Sequence, residues 1–408
     1  MKRHIGLFTY STKPRGSVVH AACLAEALTR AGQQVTLFAL QRGTEGFFRS
    51  LACDVCLLPA AEAPADVDAL IRQRITEFVS GLERLNPALD LLHAQDCLAA
   101  SALLEARARP DLALAHSPLV RTVHHVERFE SAYLIECQRR SILHADLVLS
   151  VSDATRRVLS EELGRESQRA WNGVDTSRFA PAAPTARAEL RQSMGIAADE
   201  LVVLSVGGIE ERKNSLRCLA AFAELAAALP RALWVVIGGA SILDHRAYQE
   251  RFDRQLAALA PGTRDRIRRL GAVSDAELCR WYAAADVLLC PSEQEGWGLC
   301  VLEAMAAELP VVVSRRPPFT EYVSECEALL VDPTDETAIT GALAQLAADP
   351  TRRARLGAAG RRTAERHSWT RAAQLHIELY ERALGSGAQL PSAASSSASA
   401  GSPAATTS

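Results

Sequence analysis

Two glutamates, Glu295 and Glu303, stand with seven residues between them in the stretch 286–314, DVLLCPSEQEGWGLCVLEAMAAELPVVVS. The pattern around them predicts strand, loop, helix and strand. Residues 286–291 are an apolar run, 292–298 a loop with Gly296 and Gly298, and 299–307 a helix with Leu299, Leu302, Ala306 and Leu309 at helical spacing. Pro310 closes the turn and 311–313 form the next strand. The loop's backbone N–H groups and the helix N-terminus converge on one spot and favour an anion there. A carboxylate beside that spot is unfavourable for a bare phosphate but accepts hydrogen bonds from sugar hydroxyls. The second carboxylate, about two turns into the helix, reaches a different pair of hydroxyls. The stretch therefore suits a polyol and a phosphate together. Two surface glutamates on a solvated helix are the bland alternative, and spacing alone does not separate the two.

Such residues need strands that end along a common edge, and the chain supplies them by alternation. Strand 4–10, a polar loop 11–17 carrying Gly16 and Ser17, helix 18–31 stopped by Gly32 and strand 34–39 form a βαβ unit. Strand 51–59, a helix over 66–84, strand 89–92 and a helix over 97–107 follow, and Asp96 stands where it can cap that last helix. Strand 119–123 ends in His124-His125, and strand 145–151 leads to a helix capped by Ser152 and Asp153. Pro181 and Pro184 mark a linker. The alternation restarts with strand 201–206, a loop carrying Arg212 and Lys213, helix 215–228, strand 232–237, strand 267–272 and helix 275–284, the last opened by a Ser274–Glu277 capping box. Helices 336–348, 351–366 and 369–384 end the ordered part, and the Ser/Ala/Gly/Pro-rich stretch 385–408 is expected to be disordered. The fold class implied is α/β, two doubly wound Rossmann-like domains facing a central cleft.

Bulk properties exclude several classes. The 408 residues are 48% hydrophobic and 23% charged, enough for two domains with real cores. A net charge of -3 gives no reason to expect nucleic-acid binding. No apolar run approaches the ~18 residues of a membrane span, and the N-terminus lacks a signal peptide's apolar region, so a cytoplasmic location is expected. The Arg-rich helix 351–366 is a solvated face or, at most, a peripheral membrane contact. Ten cysteines include one C-x-x-C, Cys53 and Cys56, without a second pair at zinc spacing; buried reduced thiols are expected.

E-G-W-G-L-C-V-L-E followed by A-M-A-A-x-x-P-V-V-V-S resembles the E-x7-E signature of retaining glycosyltransferases of family 4 (the glycosyltransferase group 1 type), which have the GT-B fold. Trp171-Asn-Gly-Val-Asp175 with Phe179 resembles the N-G-V-D-x-x-x-F turn that closes the N-terminal domain of that family. The resemblance implies an acceptor-side domain over 1–180, onto which helix 369–384 packs back, and a nucleotide-sugar domain over 186–367. It implies a metal-independent transferase that needs no cofactor and moves a sugar from a UDP- or GDP-linked donor to a hydroxyl acceptor. Glu303 would take the nucleotide ribose and Glu295 the donor sugar. Lys213, with Arg212, would neutralise the diphosphate. Gly16, Ser17, Gly296, Gly298 and Leu299 would approach the donor by backbone. His124 would touch the sugar near the scissile bond, with His125 and Asp96 as weaker contacts. Two departures stand out: Gly208 occupies the family's arginine position, and Pro317-Pro318 replaces a glycine-rich turn before Glu321. A sugar-nucleotide epimerase and a non-catalytic nucleotide-sugar-binding relative are the alternatives.

Overall fold

The computed structural model describes residues 2–44, 46–239 and 245–386. The first half holds strands β1 (His4–Thr9), β2 (Gln34–Arg42), β3 (Asp54–Ala60), β4 (Leu91–Ala94), β5 (Leu119–Val123), β6 (Leu147–Ser150) and β7 (Gln168–Arg169). Its helices are α1 (Gly16–Arg30), α2 (Val67–Leu85), α3 (Cys97–Arg107), α4 (Ala132–Leu143) and α5 (Asp153–Leu163). Helix α6 (Pro184–Ser193) leads into the second half. There the strands are β8 (Leu201–Val206), β9 (Ala232–Ile237), β10 (Ile267–Gly271), β11 (Val287–Cys290), β12 (Val311–Ser314) and β13 (Ala328–Val331). Helices α7 (Ser215–Ala228), α8 (Arg246–Ala258), α9 (Pro261–Arg264), α10 (Asp275–Ala284), α11 (Leu299–Ala306), α12 (Glu336–Ala348), α13 (Pro350–Arg366) and α14 (Trp369–Ser386) complete the order.

The strands form two sheets, ordered β3-β2-β1-β4-β5-β6-β7 and β10-β9-β8-β11-β12-β13, and every pairing is parallel. Parallel strands covered on both faces read as apolar runs, which is why they were visible in the sequence. Alternate residues point to opposite faces. On β1, Phe8 packs with Phe38 and Phe78 of α2, whereas Ile5 and Leu7 pack with Leu24 of α1 and Leu379 of α14. On β8, Val203 joins Trp234 and Phe222, whereas Val202 and Leu204 join Leu302 and Met305 of α11. Each sheet thus carries two cores, and α14 returns from the second half to cover a face of the first.

Four helices were not foreseen: α4, α6, α8 and the single turn α9. Helix α6 starts at Pro184, the last residue of the stretch read as a linker, with that proline in its first turn, where a missing N–H costs nothing. Arg187 and Arg191 of α6 bind the carboxylate of Asp286 at 2.7 and 3.0 Å, and that carboxylate also accepts from the backbone of Val202 at 2.8 Å. Helices α4 and α8 bury few apolar side chains; in α8 these are Tyr248 and Phe252. Helix α1 begins at Gly16, two residues before the expected start. The stretch 387–408 of the expected tail lies outside the described residues. All ten cysteines are free, but Cys326 is exposed and Cys53, Cys56 and Cys279 are half-buried, so the expectation of uniformly buried thiols fails for these four. No described helix is long and apolar enough to cross a membrane.

Candidate active site

The C-terminal edges of the two sheets face each other, the place where open α/β sheets bind ligands. The meeting point is tight. A Cβ on Gly296, in the loop after β11, would lie 2.0 Å from the carbonyl oxygen of His124, at the end of β5. Only a glycine allows that approach, so the loop bearing Glu295 lies directly against the strand end bearing His124.

Two loops of the second half build the centre. The loop after β8 ends at Asn214, which is 1% exposed, has φ 61°, and donates through its side chain to the carbonyls of Pro291 (3.1 Å) and Pro333 (2.6 Å). The carbonyl of Arg212 accepts from the backbone of Glu293 at 2.8 Å. These bonds fasten the loop of Arg212 and Lys213 to the loop of Glu295. Lys213 Nζ bonds Glu295 Oε1, the Ser292 hydroxyl donates to the same oxygen at 3.0 Å, and an Arg212 nitrogen lies 3.4 Å from Glu295 Oε2. Arg212 also pairs with Glu210 at 2.8 Å. Burial alone would raise the Glu295 carboxyl; Lys213 and then Arg212 overcome it and bring the pKa down to about 2. Burial works against the Lys213 ammonium, but the adjacent Glu295 outweighs it and lifts Lys213 above its ordinary value. Both stay charged at neutral pH. A pocket opens here, lined by Ser205, Gly207, Lys213, Trp234, Cys290 and Ser292.

Gly208 has a local cause. A Cβ there would sit 2.9 Å from the carbonyl of Gly239 and 3.0 Å from Glu210 Oε1. A larger residue would have to displace the β9 turn, and the nearby cation is Arg212 instead.

Glu303 sits on α11, whose N-cap is Gly298 with φ 91° and no side-chain cap. The Tyr282 hydroxyl donates to Glu303 Oε2 at 2.7 Å, and burial pushes the Glu303 carboxyl up. Glu303 and Glu295 therefore occupy separate surroundings, one beside cations and the other beside a phenol.

On the facing side, Gln95 accepts from His124 Nε2 at 3.1 Å and its amide nitrogen lies 3.2 Å from His93 Nε2. His93 Nδ1 is 2.7 Å from the Tyr380 hydroxyl of α14. An amide donating to His93 Nε2 leaves Nδ1 as the proton-bearing nitrogen of His93, and the Gln95 oxygen leaves Nε2 as that of His124. His124 also meets the edge of His20 at a centroid distance of 4.8 Å, and His20 Nδ1 is 2.8 Å from Asn172 of the N-G-V-D turn. Burial, followed by the neighbouring His20 and Arg121, holds His124 well below the usual imidazole range. It is neutral at physiological pH and acts as a hydrogen-bonding group.

The remaining expected residues separate. Gly16 opens α1 with nothing within 4 Å of a built Cβ, so no packing demands glycine there; Ser17 follows it in the same turn. Asp96 is spent on backbone: Oδ1 accepts from Ala99 at 2.8 Å and Oδ2 from Tyr10 at 2.9 Å, which makes it the cap of α3. His125 bonds Glu127. Ser292, Glu210, Gln95 and His20 were missed by sequence reasoning. They become significant only through partners 2 to 152 positions away, and single polar residues carry no periodic signal. Among the described residues, no cluster of three or more His, Cys, Asp or Glu side chains could hold a metal ion.

Comparisons with known proteins agree with this layout. Residues 14–178 match the family described as Glycosyltransferase Family 4, and residues 186–363 the one described as Glycosyl transferases group 1. A D-inositol 3-phosphate glycosyltransferase from Xylanimonas cellulosilytica is 33% identical over 65% of this chain and 66% of its own length. One of the same name from Kineococcus radiotolerans is 29% identical over 90% of this chain and 94% of its own length. A GDP-mannose-dependent alpha-(1-6)-phosphatidylinositol monomannoside mannosyltransferase from Mycolicibacterium smegmatis is 34% identical over 57% of this chain and 61% of its own length. Among solved structures, a sucrose-phosphate synthase from Thermosynechococcus elongatus superposes with a TM-score of 0.78 at 22% identity, covering 94% of this chain and 100% of that one. The Anabaena protein HepE, in complex with UDP-glucose, gives 0.73 at 19% identity over 93% of this chain and 100% of its own. The chain belongs to the family 4 glycosyltransferases of the group 1 type and has their GT-B fold of two facing parallel sheets.

Proposed function

We propose that this chain transfers a glycosyl group from a nucleoside-diphosphate sugar to a hydroxyl acceptor with retention of configuration. The observation that carries the reading is the Lys213–Glu295 pair. It is buried at the edge of the second sheet, flanked by Arg212 and Ser292, and set against His124 through Gly296. The donor's diphosphate draws Lys213 and Arg212, with the amides of Gly298 and Leu299 at the start of α11 adding their partial charge. Glu295, released from Lys213, accepts from a sugar hydroxyl. Glu303 takes the ribose hydroxyls deeper in the same helix. Gly16 and Ser17, at the N-terminus of α1, approach the donor from the other side. The bond from the anomeric carbon to the phosphate oxygen breaks and the bond to the acceptor oxygen forms on the same face. The acceptor's proton passes to the departing phosphate. His124, neutral, holds a sugar hydroxyl and gives up no proton. Closing the two sheets together keeps water from the activated sugar.

One relative is named for GDP-mannose and one neighbour was solved with UDP-glucose, so UDP- and GDP-linked donors come first. Relatives named for inositol 3-phosphate and for phosphatidylinositol mannosides make inositol-type polyols the first acceptors to try. The division of labour places the acceptor side in residues 1–180 and the donor side in 186–367. A non-catalytic nucleotide-sugar-binding relative is the second reading, because the family's arginine position holds Gly208 and the second cation must come from Arg212, which is already paired with Glu210 and Glu295. The test is nucleotide release from a panel of UDP-, GDP- and ADP-sugars, with and without inositol phosphates, followed by mass spectrometry with Glu303→Ala as control. Release from one donor, raised by an acceptor and lost in the control, is expected. Binding without release from any donor would replace the transferase by the non-catalytic reading.

A further inference from the structure

Cys290 is the last residue of β11 and Cys300 the second residue of α11, and the loop between them carries Ser292, Glu295, Gly296 and Gly298. Their sulfurs lie 3.9 Å apart, and Cys290 Sγ is also 3.5 Å from the Ser292 hydroxyl. Both residues are buried, at 6% and 7% exposure, yet Cys290 lines the pocket beside Lys213 and Ser292. The proposed glycosyl transfer uses neither sulfur. We infer that Cys290 and Cys300 form a modification site: a peroxide-class oxidant that enters the donor pocket converts them to a disulfide across the neck of the Glu295 loop, and this closes the donor site.

The chemistry balances. The Cys290 thiolate attacks one peroxide oxygen and forms an S–O bond; the other oxygen leaves and is protonated to water. The sulfur of Cys300 then attacks that of Cys290, displaces the oxygen, and its proton leaves with it as a second water. Two thiols lose two electrons and one peroxide becomes two waters. The order follows from the surroundings. Cys290 faces the pocket and Cys300 stands behind it. The hydrogen bond from Cys300, helped by the Lys213 ammonium, holds the Cys290 thiol below its ordinary value against the effect of burial. A thiolate is the nucleophile in this attack.

The consequence follows from distance. A disulfide needs its sulfurs ~2.05 Å apart. Joining this pair therefore draws the start of α11 and the end of β11 together by a distance on the order of 1–2 Å, shared between rotamer change and backbone. A misplacement of ~1 Å in a catalytic constellation costs on the order of a hundredfold in rate. Glu295 and the α11 amides lie inside the closed segment, so they move with it.

The test treats the full chain with hydrogen peroxide, blocks remaining thiols under denaturing conditions, and maps the peptides by mass. The expected result is a linked peptide pair containing Cys290 and Cys300, 2 Da lighter than the two free thiols (roughly, by loss of two hydrogens). UDP or GDP present during exposure should slow its formation. Turnover of the donor that the sugar-nucleotide panel selects should fall by about a hundredfold and return with dithiothreitol. Cys300→Ser should give no linked peptide, and Cys290, with no partner thiol to resolve it, should carry added oxygen instead. The inference is overturned if both thiols stay free at peroxide doses that oxidise the exposed Cys326, or if the linked peptide forms with turnover unchanged. The mass readout requires no variant to fold and no activity. A failed disulfide and a failed transferase reading are therefore distinct results; only the closing of the donor site rests on the proposed function.

Discussion

Lys213 and Glu295 face each other, so in the proposed reaction a donor diphosphate would exchange one ionic partner of Lys213 for another instead of desolvating a bare cation. On the proposed mechanism, loss of Lys213 removes a charge from the departing diphosphate. Lys213→Ala should lower kcat by about 10²–10³, the loss typical of removing one group that stabilises developing charge; steady-state kinetics with unchanged kcat would remove it from the leaving-group role. The same pair predicts a pH effect on stability. The Glu295 carboxyl lies at about 2 in the folded chain against 4.5 when free. A depressed carboxylate stabilises the fold above its unfolded value, and that stabilisation is lost as pH falls toward the folded one. The window is therefore about 4.5 down to 2, and the size is about 3 kcal/mol. Urea unfolding of the natural chain and of Glu295→Gln should show a stability gap that narrows as pH drops below 4.5; a gap independent of pH would mean that the pair is not what holds the loop. Gln95 belongs to this scale as a positioning residue. Gln95→Leu strips His124 Nε2 of its acceptor, and an unsatisfied buried donor costs about 1–3 kcal/mol. A fall in kcat of about tenfold is expected with KM little changed, partly restored in Gln95→Glu. Equal changes in kcat and KM would point to a loosened fold instead.

Element by element, the sequence was legible where apolar periodicity and capping agreed. Helices 97–107, 215–228, 275–284 and 336–348 have the bounds the pattern predicts, and caps at Asp96, Ser152 and Ser274 mark the starts of α3, α5 and α10. Helix α8 was invisible for a physical reason: with only Tyr248 and Phe252 buried, its stripe is too narrow to stand out from a polar loop. Helix α6 was hidden by prolines that read as a linker, although Pro184 is tolerated in its first turn. In the site, Glu295, Glu303 and Lys213 could be read because charged residues in a strand–loop–helix context are conspicuous. Ser292 and Gln95 could not, because a neutral polar side chain has no signal until its partner is known. The loop's own constraint lies at Gly298. Its φ of 91° is the left-handed region, and a Cβ would meet the Phe319 ring at 2.6 Å. Gly298→Ala should therefore destabilise the second half by about 2 kcal/mol or more, from a backbone cost of about 1–2 kcal/mol plus displacement of the ring. Thermal unfolding should register it as a lowered Tm; an unchanged Tm would mean that the α11 cap adapts at no cost.

At the scale of the whole molecule, function depends on how the halves are held against each other. Helix α14 is one tie: Trp369, Ala372, Leu379 and Tyr380 pack on the first half, and Gly173 admits the start of α14, since a Cβ there would lie 2.4 Å from the backbone nitrogen of Trp369. This tie joins the chain ends without fixing the cleft. Besides the approach of Gly296 to His124, the contacts across the cleft include those of Asp275 and Glu321. Asp275, at the start of α10, pairs with Arg178 and stands 3.9 Å from Arg49 of the first half. The two carboxylate oxygens of Glu321 accept from the backbone of Asp153 and Ala154 at 2.8 Å each, at the N-terminus of α5. Helix α5 already has its own cap, since Ser152 accepts from Thr155 at 3.1 Å. Glu321 therefore takes two amides that would otherwise face water, and places a negative charge at the positive end of a helix belonging to the other half. Loss of such a cap costs about 1 kcal/mol, and here the cost falls on closure because the carboxylate and the helix lie on opposite sides of the cleft. Glu321→Ala should shift the open–closed balance about fivefold toward open. The donor KM should rise and the radius of gyration from X-ray scattering should increase, while each half keeps its own unfolding transition. Glu321→Gln, which retains one accepting oxygen, should lie between the two. An unchanged scattering profile together with an unchanged KM would show that the α5 contact follows closure without contributing to it, leaving the Asp275 contacts and the approach of Gly296 to His124 to hold the cleft.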